Sequence, residues 1–131
     1  MPLTVKVRAD SKFPIDRKRL RAVLRSAWRK FGFDGDATVS VAVVGTRKMA
    51  ELHQRYLGKK GATDVLAFPQ HGSGGDEYGF VTPGEAELQL GDIVLCYPLI
   101  VDQAVEGDIL IDDRVEELAL HGLEHLLGAE E

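Results

Sequence analysis

Cysteine is almost absent from this chain of 131 residues, which has only Cys96, within an apolar run. A single cysteine excludes an internal disulfide framework and is typical of a protein in the reducing cytoplasm. Long apolar runs are absent as well, since no stretch approaches the roughly 20 residues of a transmembrane helix. The first residues lack the apolar core of a signal peptide. We therefore expect a cytoplasmic protein with no membrane partner.

Basic residues are scarce in the second half of the chain. Residues 61–131 contain one Lys or Arg against 16 Asp and Glu, a net charge of −15. Residues 1–60 contain the other 15 of the 16 basic residues against 5 acidic ones, a net charge of +10. This division is typical of a protein with a basic surface for a polyanion. It fits equally well two solvated faces of opposite sign.

Repeats, low-complexity tracts and interdomain linkers are also absent. The length suits one domain with its own core, so we expect a single domain over residues 1–131, and a monomer. The apolar pattern predicts strands over residues 3–8, 37–44, 65–68 and 90–97 and helices over 17–31, 46–58, 98–106 and 112–127, with the first helix capped by Asp16, the second by Thr46 and the last by Asp112 or Asp113. Met49, Leu52 and Tyr56 should form the inner stripe of the second helix. The order of these elements predicts an α+β fold, with helices packed on a mixed sheet of about four strands.

The first helix carries a basic ridge on the face opposite its apolar stripe. Arg17, Arg21, Arg25 and Arg29 follow one another at intervals of four residues. Like charges at this spacing repel by a few tenths of a kcal/mol each, a cost that a bound anion would offset. Arg21 and Arg25 are therefore candidate substrate-binding residues for a polyanion.

Two histidines near the end of the chain form a candidate metal site. His121 and His125 are four residues apart, so on a helix both imidazoles can turn toward one cation. Gly128 can end that helix and bring a third ligand, Glu131, back to the site. Three protein ligands and one water are typical of catalytic zinc, so we expect Zn²⁺ or a similar divalent ion held by these three residues.

Other assignments of the same residues remain open. His53 and His71 are alternative third ligands, and the histidine pair could simply pack or face solvent on an acidic helix. The spacing also matches the long motif of zinc metallopeptidases. Gly122 occupies the position of that motif's general base, which disfavours a peptidase.

Three segments together resemble one family, the YbeY-type bacterial endoribonucleases and rRNA maturation factors. Residues 121–131 resemble its signature His-Gly-x-Leu-His-Leu-x-Gly-Tyr-Asp-His. Residues 52–69, ending Thr-Asp-Val-Leu-Ala-Phe-Pro, are similar to its Leu-Asn-x-x-Tyr-Arg-Gly-x-Asp-x-Pro-Thr-Asp-Val-Leu-Ser-Phe-Pro, and residues 90–96 to its Leu-Gly-Asp-Ile-Val strand. This chain departs from the motifs at Leu57, Glu124, Ala129, Glu130 and Glu131.

The resemblance implies a metal-dependent, single-strand-specific endoribonuclease that acts in rRNA maturation and ribosome quality control. It implies a zincin-like fold with the two-histidine helix beside the sheet, and rRNA and ribosomal proteins as partners. Asp64 matches the Asp of Thr-Asp-Val-Leu and could orient the site or bind backbone at the start of a strand. Glu124, three residues after His121, could orient a ligand or act as a base, so the candidate catalytic residues are Glu124 and Asp64.

The arginine of the family's second motif is suited to a phosphate, and Leu57 stands in its place. Arg55, Lys59 and Lys60 are the candidate substrate-binding residues that would supply compensating charge. The second hypothesis is an RNA-binding or ribosome-associated module that has lost full metal ligation, as Glu131 and Leu57 would allow.

Overall fold

Strands and helices alternate along most of the chain in the computed structural model, which describes residues 3–32, 35–70 and 88–128. In chain order the elements are β1 (Leu3–Ala9), α1 (Arg17–Lys30), β2 (Ala37–Val44), α2 (Thr46–Leu57), β3 (Val65–Pro69), β4 (Leu88–Cys96), α3 (Tyr97–Gly107) and α4 (Ile111–Leu126). None of the helices in the described ranges could span a lipid bilayer.

The four strands form one mixed sheet in the order β1-β2-β4-β3. β1 pairs parallel with β2, β2 pairs parallel with β4, and β3 pairs antiparallel with β4. The parallel pairs need crossover connections, which α1 and the longer path from β2 to β4 supply. The predicted α+β class and four-stranded mixed sheet are confirmed, and β1 and β3 are the two edge strands.

Apolar side chains pack on both faces of the sheet. The larger core joins β1, β2 and β4 to α1, α3 and α4, with Trp28, Ile93 and Leu123 among its fully buried residues. A smaller cluster on the other face places Met49 of α2 against Leu66, Val94 and Cys96. α1 and α4 therefore lie on one side of the sheet and α2 on the other.

Most of the predicted helix ends are confirmed, with two corrections. The Asp16 carboxylate accepts a hydrogen bond from the Arg19 backbone N–H at 3.0 Å, as an N-cap should. α2 is capped by Gly45, so that Thr46 is its first helical residue rather than its cap. α4 is capped by Leu110, and Asp112 and Asp113 fall in its first turn.

Acidic residues of that first turn join α4 to α1. The Asp112 carboxylate accepts the backbone N–H of Asp16 at 3.0 Å. The Arg19 guanidinium forms ion pairs with Asp113 and with Glu116, one turn further along α4. Burial raises the pKa of Glu116 above its ordinary value, and Arg19 acts in the opposite direction. The ion pairs thus offset part of the cost of placing carboxylates between the helices.

The predicted basic ridge of α1 lies along the free edge of β1. Arg17 donates to the carbonyls of Val7 and Ala9, Arg21 donates from Nε to the carbonyl of Val5 at 3.1 Å, and Arg25 donates from Nε to that of Leu3 at 3.0 Å. An edge strand presents backbone groups that lack a strand partner. The ridge therefore has a structural role that spacing alone did not reveal, and its predicted RNA contact stays a prediction.

We expect Arg21→Met to lower the free energy of unfolding by about 1 kcal/mol, because the Val5 carbonyl loses a charged donor while the apolar stem of the side chain is kept. The measurement is chemical denaturation of both proteins. Arg29→Met is the matched control, since Arg29 is exposed on the same ridge and its side chain forms no hydrogen bond or ion pair with another described residue. Equal losses for the two variants would contradict the edge-strand role.

Candidate active site

The packing of α4 on β4 decides where the histidine pair lies. Gly122, between the two histidines, is buried against the sheet, and a Cβ built on it would lie 2.9 Å from Cγ2 of Ile93. A side chain there would have to displace the centre of the sheet. Because the Gly122 side of the helix faces the sheet, His121 and His125 emerge as exposed residues beside β3.

The two histidines line one cleft together, as their spacing predicts. The cleft has a volume of about 260 Å³, and its other walls come from α2 and β3: Leu57, Val65, Leu66 and Ala67. These walls are apolar, so the imidazoles and the backbone supply most of its polar character. The residue that replaces the family's arginine, Leu57, is one of these walls, which leaves no guanidinium at that point of the cleft.

A second cleft of about 380 Å³ shares His121 and contains Asp64. The Asp64 carboxylate accepts a hydrogen bond from Gln103 Nε2 at 3.2 Å, and its Oδ2 lies 3.6 Å from Arg114 Nη2. Arg114 donates to Gln103 Oε1 at 2.7 Å and to Glu117 Oε1 at 3.1 Å. Asp64 is therefore held by side chains of α3 and α4 in a cleft that His121 also lines.

Arg114 and Gln103 were not predicted as site residues. One signal was present for Arg114, because it is the only Lys or Arg after residue 60. No signal was present for Gln103, which reaches Asp64 only because α3 and the segment before β3 are neighbours. A lone cation among carboxylates is a recurrent device for holding them in place.

The structure does not bring Glu124 into either of these clefts. Its side chain lines a groove between α4 and α1, together with Lys30 and Phe31. Residues three apart on a helix differ in direction by only about 60°, and this difference places Glu124 on the α1 side while His121 lies on the β3 side. The predicted role of Glu124 as a base gains no support from this placement.

The candidate substrate-binding cations fall into two groups. Arg55, Lys59 and Lys60 are exposed around the end of α2, next to Leu57. Arg21 and Arg25 lie at the β1 edge, three strand intervals from β3, or about 14 Å. The group at the end of α2 lies close to the histidine cleft, because Leu57 is one of the cleft walls. The group at the β1 edge lies at the opposite edge of the sheet.

The described residues supply part of a zinc site. Two imidazoles one helical turn apart fit two of the three protein ligands that catalytic zinc takes. In residues 3–32, 35–70 and 88–128, no three His, Cys, Asp or Glu side chains are placed to hold a metal ion. The predicted third ligand, Glu131, and its alternative His71 lie outside the described residues. His53 instead lies 2.8 Å from the Gly61 carbonyl through Nδ1 and lines neither histidine cleft.

An α+β protein that presents a histidine pair from one helix, beside a held carboxylate at the edge of a mixed sheet, is a candidate hydrolase. Comparison of the sequence with known protein families identifies the kind of hydrolase. A profile of the family described as Endoribonuclease YbeY matches residues 6–131. The chain belongs to this family. The enzyme class expected from the three motifs, an endoribonuclease, is confirmed by the family match and by the relatives.

Individual relatives agree with the profile. Endoribonuclease YbeY of Salinispora tropica is 36% identical over 132 residues, covering 96% of this chain and 82% of the relative. Endoribonuclease YbeY of Moorella thermoacetica is 38% identical over 109 residues, covering 83% of this chain and 69% of the relative. The solution structure of TM1509 from Thermotoga maritima has a similar fold, with a TM-score of 0.60 and 25% identity, covering 94% of this chain and 71% of that one.

We expect Gly122→Ala to lower the free energy of unfolding by roughly 1–3 kcal/mol, because its methyl group would overlap Ile93. Gly107→Ala is the control, since nothing lies within 4 Å of a Cβ at that helical position. That change should be neutral or slightly stabilising. Both free energies come from denaturant titrations. The Gly122→Ala loss should shrink in an Ile93→Ala background, and a loss that is unchanged there would rule out this contact as its cause.

We expect Arg114→Gln to lower the free energy of unfolding by about 1–2 kcal/mol, because a half-buried Asp64 would lose its cation and Gln103 a charged donor. Glu117→Gln should change it by less than about 0.5 kcal/mol, since that side chain is 60% exposed. Thermal unfolding of the three proteins at one pH distinguishes the two effects. Equal losses would place the stabilisation in the exposed pair rather than in the Asp64 network.

Proposed function

We propose that this chain is a metal-dependent endoribonuclease that cleaves single-stranded RNA in the cytoplasm, in rRNA maturation and ribosome quality control. The observation that carries the proposal is the cleft that His121 and His125 share beside β3, in a member of the Endoribonuclease YbeY family. The relatives are endoribonucleases by name, so RNA is the substrate class proposed here. Ribosomal proteins are proposed partners because the resemblance of the three motifs implies them.

Some residues of the two clefts would bind the metal ion, and others would position the reacting groups. His121 and His125 would supply two metal ligands, and Glu131 is the proposed third. A bound divalent ion would supply a Lewis acid and an activated water. Asp64, held by Gln103 and Arg114, would keep its carboxylate in a fixed position in the neighbouring cleft, where it can accept a proton or a hydrogen bond.

Substrate would be held by charge outside the apolar walls. Arg55, Lys59 and Lys60 surround the turn that carries Leu57, so they can contact phosphates on either side of the scissile bond without a cation inside the cleft. Phosphate contacts of this kind position the backbone without reading the sequence. The single-strand preference would follow from a narrow cleft between α4 and β3, which an RNA duplex could not enter.

We expect about one equivalent of zinc or a similar ion in protein purified without a chelator, and its loss in His121→Ala. Cleavage of a single-stranded RNA should fall by at least about 100-fold in the same variant, because a ligand and its metal are removed together. Elemental analysis and a gel-based cleavage assay measure the two effects. His53→Ala is the control, since His53 lines neither histidine cleft, and it should keep both metal and activity.

Cleavage that is equal in the parent and in His121→Ala would contradict the proposed site. A metal-free parent that binds RNA in a salt-sensitive way and does not cleave it would favour the RNA-binding module instead.

A further inference from the structure

A row of side chains crosses the sheet in register on the face that carries α2. Lys6 pairs with Ser40, Ser40 pairs with Asp92, and Asp92 pairs with Phe68. Register partners project to the same face of a sheet, and Phe68 packs against the cluster beneath α2. The row spans three strand intervals, or about 14 Å.

A groove of about 680 Å³ opens over this row. Lys6 and Arg8 line it at the β1 end, and Tyr56 and Phe68 line it at the β3 end, with Asp92 between them. The volume is that of a site for a small organic group. The two ends differ in chemistry, one cationic and the other aromatic.

The aromatic end presents a surface on which a flat ring can stack. Tyr56 was predicted to lie in the inner stripe of α2, but the residue is 58% exposed. Its ring lies 5.0 Å from that of Phe68, tilted by 54°. Aromatic side chains beside a basic groove are the platforms on which bases of single-stranded nucleic acids stack.

The cationic end holds two exposed charges, Lys6 and Arg8. Within the described part of the chain, the side chains of Lys6 and Arg8 form no ion pair or hydrogen bond. Asp92 is two strand intervals from Lys6, about 10 Å between the backbones, and the two side chains form no ion pair. Both cations can therefore contact phosphate oxygens.

The exposed carboxylate of Asp92 restricts which base fits between these ends. An ionised carboxylate only accepts hydrogen bonds, so it favours a base edge with neighbouring N–H donors. Among the four RNA bases, guanine alone offers two different N–H groups side by side on its Watson–Crick edge. The negative charge of Asp92 also directs the phosphate away from itself, to the Lys6 end.

The groove adjoins the histidine cleft around the end of α2 and the β3 edge. On α2, Tyr56 lines the groove and Leu57 lines the cleft. On β3, Phe68 lines the groove and Ala67 lines the cleft. A strand that leaves the groove around β3 reaches His121 and His125 after a short path. The two sites are thus continuous for one single-stranded molecule.

We propose that this groove binds a segment of single-stranded RNA. An unpaired guanine stacks on the exposed ring of Tyr56 beside Phe68 and donates its N–H groups to the Asp92 carboxylate, while its phosphate contacts Lys6 and Arg8. The inference rests on the proposed function, because it assigns a second contact surface to the same RNA. It goes further in naming the base that the enzyme selects and the residue that selects it.

The test is fluorescence anisotropy with two uridine-rich RNA oligonucleotides that differ in one central base, guanine or adenine. The parent should bind the guanine probe roughly tenfold more tightly, which is the usual scale of discrimination by a paired base contact. Asp92→Asn should remove this preference. Tyr56→Leu should weaken binding of both probes by about tenfold, because it removes a stacking ring from an exposed position.

The charge contacts have a separate readout. Lys6→Gln should weaken both probes equally and reduce the slope of log affinity against log salt by about 0.7, the value for one phosphate contact to a single strand. Lys18→Gln is the matched control, because Lys18 is exposed on α1 and does not line the groove. It should leave the slope unchanged.

The outcomes separate this inference from the proposed function. A parent that cleaves RNA but binds the two probes equally, with Asp92→Asn and Lys6→Gln indistinguishable from it, overturns the inference and leaves the endoribonuclease. A parent that prefers guanine through Asp92 but cleaves no RNA supports the inference and overturns the activity. His125→Ala should lose cleavage and keep the guanine preference, and a joint loss of both would place the RNA in the histidine cleft alone.

Discussion

The close contact between Gly122 and Ile93 is the constraint on which the candidate active site depends. Ile93 is in the central strand β4, where it pairs with Val41 on one side and Ala67 on the other. The absence of a side chain at Gly122 lets α4 approach this point, and Ala67 is itself a wall of the histidine cleft. One contact therefore sets both the depth of the helix and the distance between the histidines and β3. The same contact explains why the general-base position of the peptidase motif has no side chain here.

The division of charge along the chain has more than one physical origin. Part of it is structural, since Arg19 of the basic half pairs with Asp113 and Glu116 of the acidic half. Another part serves the sheet, because the arginine ridge of α1 donates to the carbonyls of β1. Other cations are exposed and have neither role, and two groups of them lie beside the two proposed sites: Arg55, Lys59 and Lys60 around the end of α2, and Lys6 and Arg8 on the open face of β1. These two groups adjoin the histidine cleft and the sheet groove, so they are the cations available for the proposed RNA contacts.

Much of the fold follows from local periodicity. The stripe of Leu20, Leu24 and Trp28 is fully buried as its helical spacing indicates, and β2 has the predicted bounds of residues 37–44. The stripe of α2 was right only in part. Met49 is buried and Tyr56 is not, because the last turn of the helix lies over the edge strand β3, where Phe68 is the aromatic residue beneath it. Glu124 shows the same limit. Its spacing from His121 predicted a place on the same helix face, but the spacing does not indicate that α1 packs beside Glu124.

Local sequence patterns were enough to predict the histidine spacing, the glycine between the two histidines, the helix end at Gly58 and the three motifs of the Endoribonuclease YbeY family. Each of these depends on residues within one or two turns, where backbone geometry is fixed by chemistry close by. Three contacts could be seen only in the folded protein: Gln103 and Arg114 hold Asp64, Arg21 donates to β1, and Lys6 lies in line with Phe68 across the sheet. Those neighbours are set by the order β1-β2-β4-β3 and by how closely each helix packs on it, which depend on burial summed over the whole chain rather than on any local pattern.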